Sequence, residues 1–213
     1  MLNQLRYLAA PAALGLLMAA APLMAAPDDS KDSLTFTMPV SAGAKTCVPN
    51  ATATVKITPA GPVEIMDVTV QGLPPNTEFD FFVLQVPKAP FGVAWYQGDI
   101  ETDKHGRGHE QFIGRFSIET FAVAPGSAPA PSVFNGPFPD ATLNPPFNPI
   151  QMYHLGLWFG SPQAAQAAGC PATVTPFNGE HNAGIQVLNT ANFADDQGPL
   201  RKVNPSAPKP NKD

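Results

Sequence analysis

The sequence is poor in charge and in the residues that usually build catalytic or metal sites. Charged side chains make up 14% of the 213 residues, against about 25% in an average soluble domain. There are only two Cys and four His. The net charge of −5 argues against binding to nucleic acid or anionic lipid, because both attract cationic surfaces. The 26 Pro exclude a coiled coil or helical bundle.

The common catalytic signatures are also missing. The chain contains no G-x-S-x-G nucleophile elbow, no P-loop and no dinucleotide fingerprint. The stretch from His109 to Ile113 begins like a zinc-protease motif but lacks the second His. These absences favour a non-catalytic binding or structural module over an enzyme.

The first 25 residues have the pattern of a secretory signal peptide. Arg6 is the only charged residue before the apolar stretch Leu8–Leu17, and the small residues Ala25 and Ala26 follow. We expect cleavage after Ala25 and a secreted or periplasmic protein that is not inserted in the membrane once the signal is removed. The alternative is an N-terminal anchor that is not cleaved.

The two cysteines then predict one disulfide. In an oxidising compartment Cys47 and Cys170 are expected to pair, and the bridge would join the beginning of the domain to its end. The alternative is two unpaired, buried thiols.

The body of the chain reads as short strands separated by turns. Eight β-branched or aromatic runs with almost no helical periodicity predict an antiparallel β-sandwich or barrel over residues 26–198. The predicted strands are Leu34–Met38, Thr52–Thr58, Val63–Val70, Phe79–Val86, Ala94–Thr102, Glu110–Ile118, Gln151–Phe159 and Gly184–Leu188. Phe79–Val86 is apolar on both alternating faces, which indicates a central strand. A turn over Asp103–Gly106 predicts a hairpin.

Three other segments complete the predicted domain organisation. Ser161 as a cap, Pro162 at the first position and Gly169 as the terminator predict one short helix. Residues 125–149 form a long loop with eight Pro, which we expect to pack over a sandwich face through its Phe residues. The tail 199–213 has no apolar pattern and is expected to be disordered.

Two resemblances support this reading. Val68–Phe79, with its Leu-Pro-Pro-Asn-Thr turn before an aromatic strand, resembles the strand, turn, strand signature of fibronectin type III and related immunoglobulin-like sandwich modules. These modules mainly bind or space other domains, so the resemblance implies a non-enzyme. The stretches 82–87, 95–99, 153–159 and 176–184 are together similar to a group of exported bacterial proteins without an assigned activity.

Two sets of side chains suggest a metal. His is a common ligand of copper and zinc, so convergence of several His would give a transition-metal protein or metal-dependent enzyme; the candidates are His105, His109, His154 and His181. Alternation along one strand places Asp99, Glu101 and Asp103 on one face, where calcium would offset their repulsion. The alternatives are structural roles for each His and a solvated outer face for the carboxylates.

A last candidate is an aromatic binding surface. Exposed aromatic side chains can contact a protein or carbohydrate partner at the cell exterior, whereas buried ones simply fill the core. The candidates are Phe91, Trp95, Tyr96, Phe134, Phe138 and Phe147. The sequence therefore predicts an exported, disulfide-linked sandwich that binds an unidentified ligand, with no required cofactor.

Overall fold

Two four-stranded antiparallel sheets and one two-stranded ladder form the part of the chain that the computed structural model describes, residues 33–122 and 150–205. The first sheet has the order β1 (Leu34–Met38), β2 (Thr52–Ala60), β3 (Val63–Gln71), β6 (Gly108–Gly114). The second has the order β10 (Gln186–Asn189), β9 (His154–Phe159), β4 (Glu78–Leu84), β5 (Ala94–Glu101). The ladder pairs β7 (Phe121–Ala122) with β8 (Ile150–Gln151). The predicted all-β sandwich is confirmed.

The core lies between the two sheets. Alternate residues of β2 and β3 are buried, and they meet the inward residues Phe79, Phe81 and Val83 of β4. Phe81 stacks on Phe112 of the first sheet with ring centroids 5.4 Å apart. Full burial of each such side chain contributes roughly 1.5–3 kcal/mol. β4 is buried on both faces, as its sequence predicts for a central strand.

The chain passes between the sheets in a Greek-key pattern. The connections from β3 to β4 and from β5 to β6 both change sheet. The turn over Asp103–Gly106 is present, with Gly106 N donating to Asp103 O at 3.0 Å. The predicted hairpin is wrong, however, because β5 pairs with β4 while β6 pairs with β3. Local residues specify the turn, but not the sheet that the following strand joins.

Gly106 should tolerate no side chain at this crossing. Its φ is 70°, and an added Cβ would lie 2.0 Å from the carbonyl oxygen of Leu73. Gly61 is a matched control, because its φ is 71° but nothing lies within 4 Å of an added Cβ. We expect Gly106→Ala to lower the free energy of unfolding by about 3 kcal/mol and Gly61→Ala by about 1 kcal/mol, measured by urea denaturation. Equal losses would contradict the close approach of Gly106 to Leu73.

One short helix follows β9. Ser161 caps α1 (Pro162–Ala167), accepting a hydrogen bond from Ala164 N at 3.1 Å. Gly169 ends the helix with a φ of 78°. The predicted helix and its cap are confirmed.

The predicted disulfide is also confirmed. Cys47 and Cys170 are bonded, with their Cα atoms 5.2 Å apart and 123 positions between them in sequence. The bond indicates an oxidising, extracytoplasmic environment. In the ranges 33–122 and 150–205, no helix has both the length and the apolar character needed to cross a membrane.

Most predicted strands differ from the observed ones by a few residues at one or both ends, and two larger differences change the organisation of the chain. The strand predicted over 151–159 divides into β8 and β9, because Met152 and Tyr153 bond to the chain near Thr120 and Leu200 instead of continuing one ladder. The packed chain also extends beyond residue 198: Pro199–Lys202 forms a 3₁₀ helix, and Leu200 and Val203 are buried. The predicted signal peptide (1–25) and Pro-rich loop (125–149) lie outside the described residues.

Candidate functional site

The outer face of the second sheet carries both a small hydrophobic cluster and a group of acids. Because residues alternate along β4, Glu78 and Asp80 share the outer face with Phe82 and Leu84. The apolar part is a cluster separate from the inter-sheet core. Its members are Phe82, Leu84, Trp158 and Ala183, with Phe91, Ala94 and Phe177 packed against them.

The register between β4 and β5 brings the acids together. Asp99 lies opposite Asp80, and Glu101 lies opposite Glu78. One carboxylate oxygen from each of Glu78, Asp80 and Asp99 lies within 4.8 Å of the others. We call these three residues the acidic edge.

Asp80 is the buried member of the acidic edge. Asp80 is only 2% exposed, and its Oδ2 atom has no hydrogen-bond partner. Burial raises the pKa of Asp80 to about 7, and the charges of Asp99 and Glu78 and a side-chain hydrogen bond with Asp99 act in the same direction, while a hydrogen bond from Asn178 acts in the opposite one. The carboxyl group is therefore readily protonated in a chain without a bound cation.

A second buried carboxylate shows what Asp80 lacks. Glu64 is fully buried and its Oε1 atom, like Oδ2 of Asp80, has no hydrogen-bond partner, but Oε1 lies 3.7 Å from the guanidinium of Arg115 and Oε2 accepts a hydrogen bond from Phe116 N at 2.8 Å. The charged groups that perturb Asp80 are Asp99 and Glu78, both acidic. Asp80 thus has acidic neighbours, as the ligands of a cation do. It has no counterpart of Arg115, whose positive charge lies beside Glu64.

The other members of the edge are exposed to solvent. Burial and the charges of Asp99, Glu101 and Glu180 raise the pKa of Glu78. Asp99 accepts a hydrogen bond from the hydroxyl of Tyr96, whose own pKa is raised by burial and by this bond. A ligand can therefore reach the edge from solvent while contacting the buried Asp80.

The loop between α1 and β10 contacts Asp80 through Asn178. Asn178 is 8% exposed and donates from Nδ2 to the carbonyl of Gly160 at 3.0 Å, while its Oδ1 accepts from Asn182 N at 2.9 Å. Trp158, the cross-strand neighbour of Asp80, has a buried Nε1 with no partner. Asp80 and Trp158 thus leave a buried acceptor and a buried donor without hydrogen-bond partners on adjacent strands.

The structure does not bring the four candidate histidines together. All four are among the described residues, yet no three of them form a group with ligand atoms within 4.8 Å. His154 is buried; its Nδ1 bonds to Thr190 Oγ1 at 2.8 Å and its Nε2 to the carbonyl of Asp195 at 3.1 Å. Burial lowers its pKa. Both ring nitrogens are thus committed to the fold.

The remaining histidines lie in separate places. His105 is an exposed residue of the Asp103–Gly106 turn, and His109 on β6 lies 3.7 Å from Asp67. His181 lies in the loop between α1 and β10, where its N donates to the carbonyl of Asn178 at 3.0 Å. The strands and turns that carry these residues give them different neighbours.

The acids predicted along one strand are also divided. Asp99 joins Glu78 and Asp80, whereas Glu101 and Asp103 are not in that group. Asp103 accepts hydrogen bonds from the backbone N of His105 at 2.8 Å and of Arg107 at 3.0 Å, and these bonds lower its pKa. Asp103 therefore stabilises the crossing turn.

The candidate aromatic surface separates into three groups. Phe91 packs on Trp158 and Phe177. Trp95 packs against the inter-sheet core, and its neighbour Tyr96 is 46% exposed. Phe134, Phe138 and Phe147 lie outside the described residues. Of the described candidates, only Tyr96 borders the acidic edge.

Depressions of different character open on the surface. One of about 280 Å³ is lined by Glu78 and Glu101 together with Asn76, Thr77 and Thr102, so Glu78 is the member of the acidic edge that borders it. A larger groove of about 840 Å³ lies beyond the opposite end of β4, where Ile118, Ile150 and Tyr153 line it. That groove is next to the two ends of the segment outside the described residues.

Sequence reasoning missed Glu78 and Asp80. The signal was present, because Asp80 is the single charged residue within the apolar run Phe79–Val86, and a charge on a central strand needs a partner. Comparison adds no assignment: no protein-family model and no curated protein matches the chain.

Proposed function

We propose that this chain is an exported, non-catalytic β-sandwich module that binds a cationic ligand at its acidic edge. The observation that carries the proposal is the buried carboxyl of Asp80, which has an unpartnered oxygen and lies between Glu78 and Asp99. A buried carboxylate normally has a cationic or hydrogen-bonding partner. A cation from outside the chain would supply one.

Export is supported by two independent features. The disulfide is typical of proteins outside the cytoplasm, and residues 1–25 have the pattern of a signal peptide. We therefore place the mature protein in the periplasm or the medium, where it would meet free ions and the basic groups of other molecules.

Binding is favoured over catalysis because the side chains that could act in catalysis make structural hydrogen bonds instead. His154 holds the chain near Thr190 and Asp195 through both ring nitrogens, and Asp103 holds a turn. The half-exposed ring of Tyr96 borders the acidic edge and offers a contact surface to a protein or carbohydrate partner.

Amide chemical shifts of the ¹⁵N-labelled mature protein test this function. Calcium chloride, spermidine and a lysine-rich peptide are added in separate titrations. We expect at least one of them to shift amides of residues 76–80, 96–101 and 178–180, because these segments surround the acidic edge.

A double variant, Glu78→Gln with Asp99→Asn, should abolish the shifts. Glu110→Gln is the matched control, since Glu110 is an exposed acid on β6 of the other sheet. Shifts confined to other surfaces, or none with any probe, would refute the proposed function.

A further inference from the structure

We infer that the acidic edge binds one hard divalent cation, calcium, with Asp80, Glu78 and Asp99 as its protein ligands. This inference rests on the proposed function and names its ligand. It uses a different set of carboxylates from the one that alternation along β5 predicts, because two ligands come from the neighbouring strand β4.

The donor atoms select the class of metal. The converging atoms are carboxylate oxygens, with no imidazole or thiolate among them. Oxygen donors suit calcium, magnesium and manganese, whereas copper and zinc prefer sites that include nitrogen or sulfur. Cys47 and Cys170 are bonded to each other, and His154 is occupied by hydrogen bonds.

The spacing of the oxygens fits calcium. Calcium–oxygen distances of about 2.3–2.6 Å mean that two ligands of one ion lie at most about 5 Å apart. The three carboxylate oxygens lie within 4.8 Å of one another. Because Glu78 and Asp99 are exposed, water can complete the irregular shell that calcium tolerates and magnesium does not.

Burial supplies the observation that distinguishes this cluster from an ordinary acidic surface. Asp80 is 2% exposed, one oxygen of its carboxyl lies within 4.8 Å of an oxygen of each of the other two acids, and its Oδ2 atom has no hydrogen-bond partner. Leaving such an oxygen unpaired costs about 1–3 kcal/mol, and more when it is charged. A bound cation removes that cost.

The surrounding charge strengthens the attraction. Glu101 and Glu180 act on Glu78 together with Asp99, so five carboxylates contribute negative potential at this end of the sheet. Converging charge of one sign in a depression with low-dielectric walls concentrates counter-ions. With few protein ligands, we expect a dissociation constant of about 0.1–1 mM, the range of extracellular calcium modules.

Bound calcium would also join structural elements. Asp80 lies on the central strand β4, whereas Asp99 lies on the edge strand β5 beside the hydroxyl of Tyr96. The ion would hold the edge strand to the centre of the sheet and fix the side on which Tyr96 is presented.

The experiment measures calcium and terbium binding by the mature, oxidised protein. Isothermal titration calorimetry with calcium chloride gives the stoichiometry, and terbium reports the site because Trp158, the cross-strand neighbour of Asp80, can sensitise its luminescence. We expect one equivalent of calcium to bind and to displace terbium. Asp80→Asn and Asp99→Asn should each weaken binding at least about tenfold, whereas Glu110→Gln should leave it unchanged.

The outcomes separate the two proposals. If calcium shows no saturable binding while spermidine or the lysine-rich peptide still binds at the edge, the calcium inference fails and the proposed function stands. If none of the probes binds there, both fail. Calcium binding that survives Asp80→Asn and Asp99→Asn, or a preference for zinc, also overturns the inference. If Asp80→Asn does not fold, Glu78→Gln and Asp99→Asn decide, because both change exposed side chains.

Discussion

Replacing Cys47 and Cys170 together by serine should lower the free energy of unfolding by about 5 kcal/mol. The bridge closes a loop over 123 positions. Without the bridge the unfolded chain gains conformational entropy, which for a loop of that length stabilises the unfolded state by about 5 kcal/mol. For a domain of this size the loss corresponds to a fall in Tm of roughly 10–20 °C. We expect this to be the largest effect of any single covalent change in the molecule.

The folded structure should survive the loss of the bond. Ser41 N donates to the carbonyl of Val187 at 2.8 Å, and Val40 forms a bridge with Leu188, so the chain before Cys47 is already held to β10. Cys170 N donates to the carbonyl of Ala165 at 2.9 Å. The destabilisation therefore arises mainly in the unfolded state.

Urea denaturation of the oxidised protein, the reduced protein and the double serine variant measures this effect. The reduced protein is the control, since it loses the bond without a substitution and should match the variant. A loss below about 1 kcal/mol would show that the unfolded chain gains little freedom. Free-thiol titration of the exported, denatured and unreduced protein should find no reactive thiol.

The features that could be predicted from the sequence are those determined by neighbouring residues. The β-branched and aromatic run Leu34–Met38 predicted β1 with its observed bounds, and the apolar faces of Phe79–Val86 identified the central strand β4. Ser161 and Gly169 marked the helix because capping and the left-handed conformation depend on local chemistry. The cysteine pair had one possible connectivity.

The candidate site could be predicted only in part, because it depends on the pairing of strands that are separate in sequence. Alternation found Asp99, but it assigned Glu101 and Asp103 as its partners. The actual partners come from β4. The pairing of β4 with β5 changes register between Phe81 and Phe82, next to the pair formed by Asp80 and Asp99. Gly98 on β5, whose φ is 150°, lies at this shift and is a local sign of a bulge, but the pairing itself depends on the whole sheet.

Asp80→Asn should remove a fall in stability that the wild-type protein shows as pH rises. The carboxyl has a pKa of 3.8 as an ordinary group and about 7 in the folded chain. Between these values the folded state holds a proton that the unfolded state has lost, so stability is full below about pH 4 and falls as pH rises through 7. The difference corresponds to up to about 4 kcal/mol.

The physical cause is the surroundings of Asp80. Burial disfavours the charged form, the negative charges of Asp99 and Glu78 add to this, and the hydrogen bond from Asn178 recovers only part of the cost. Asparagine has nearly the same shape and cannot ionise. The variant should therefore be more stable than wild type above neutral pH when no divalent cation is present.

Unfolding free energies at about pH 5 and about pH 8.5, with a chelator present, test this prediction. Glu110→Gln is the control, because this exposed acid on β6 should leave the wild-type slope unchanged. If wild type and Asp80→Asn show the same dependence on pH, Asp80 is ionised in the folded protein across this range, and burial does not control its charge.

His154 gives the opposite slope and therefore checks the assignment. Burial lowers its pKa from the ordinary 6.5, so the unfolded state binds the extra proton and stability is lost as pH falls below 6.5. In wild type the two contributions partly cancel in mildly acidic solution. Asp80→Asn should expose the His154 slope, with stability rising with pH, whereas His154→Gln should leave the falling slope of Asp80. If stability changes with pH in the same direction in both variants, burial does not shift the pKa values of Asp80 and His154 in opposite directions.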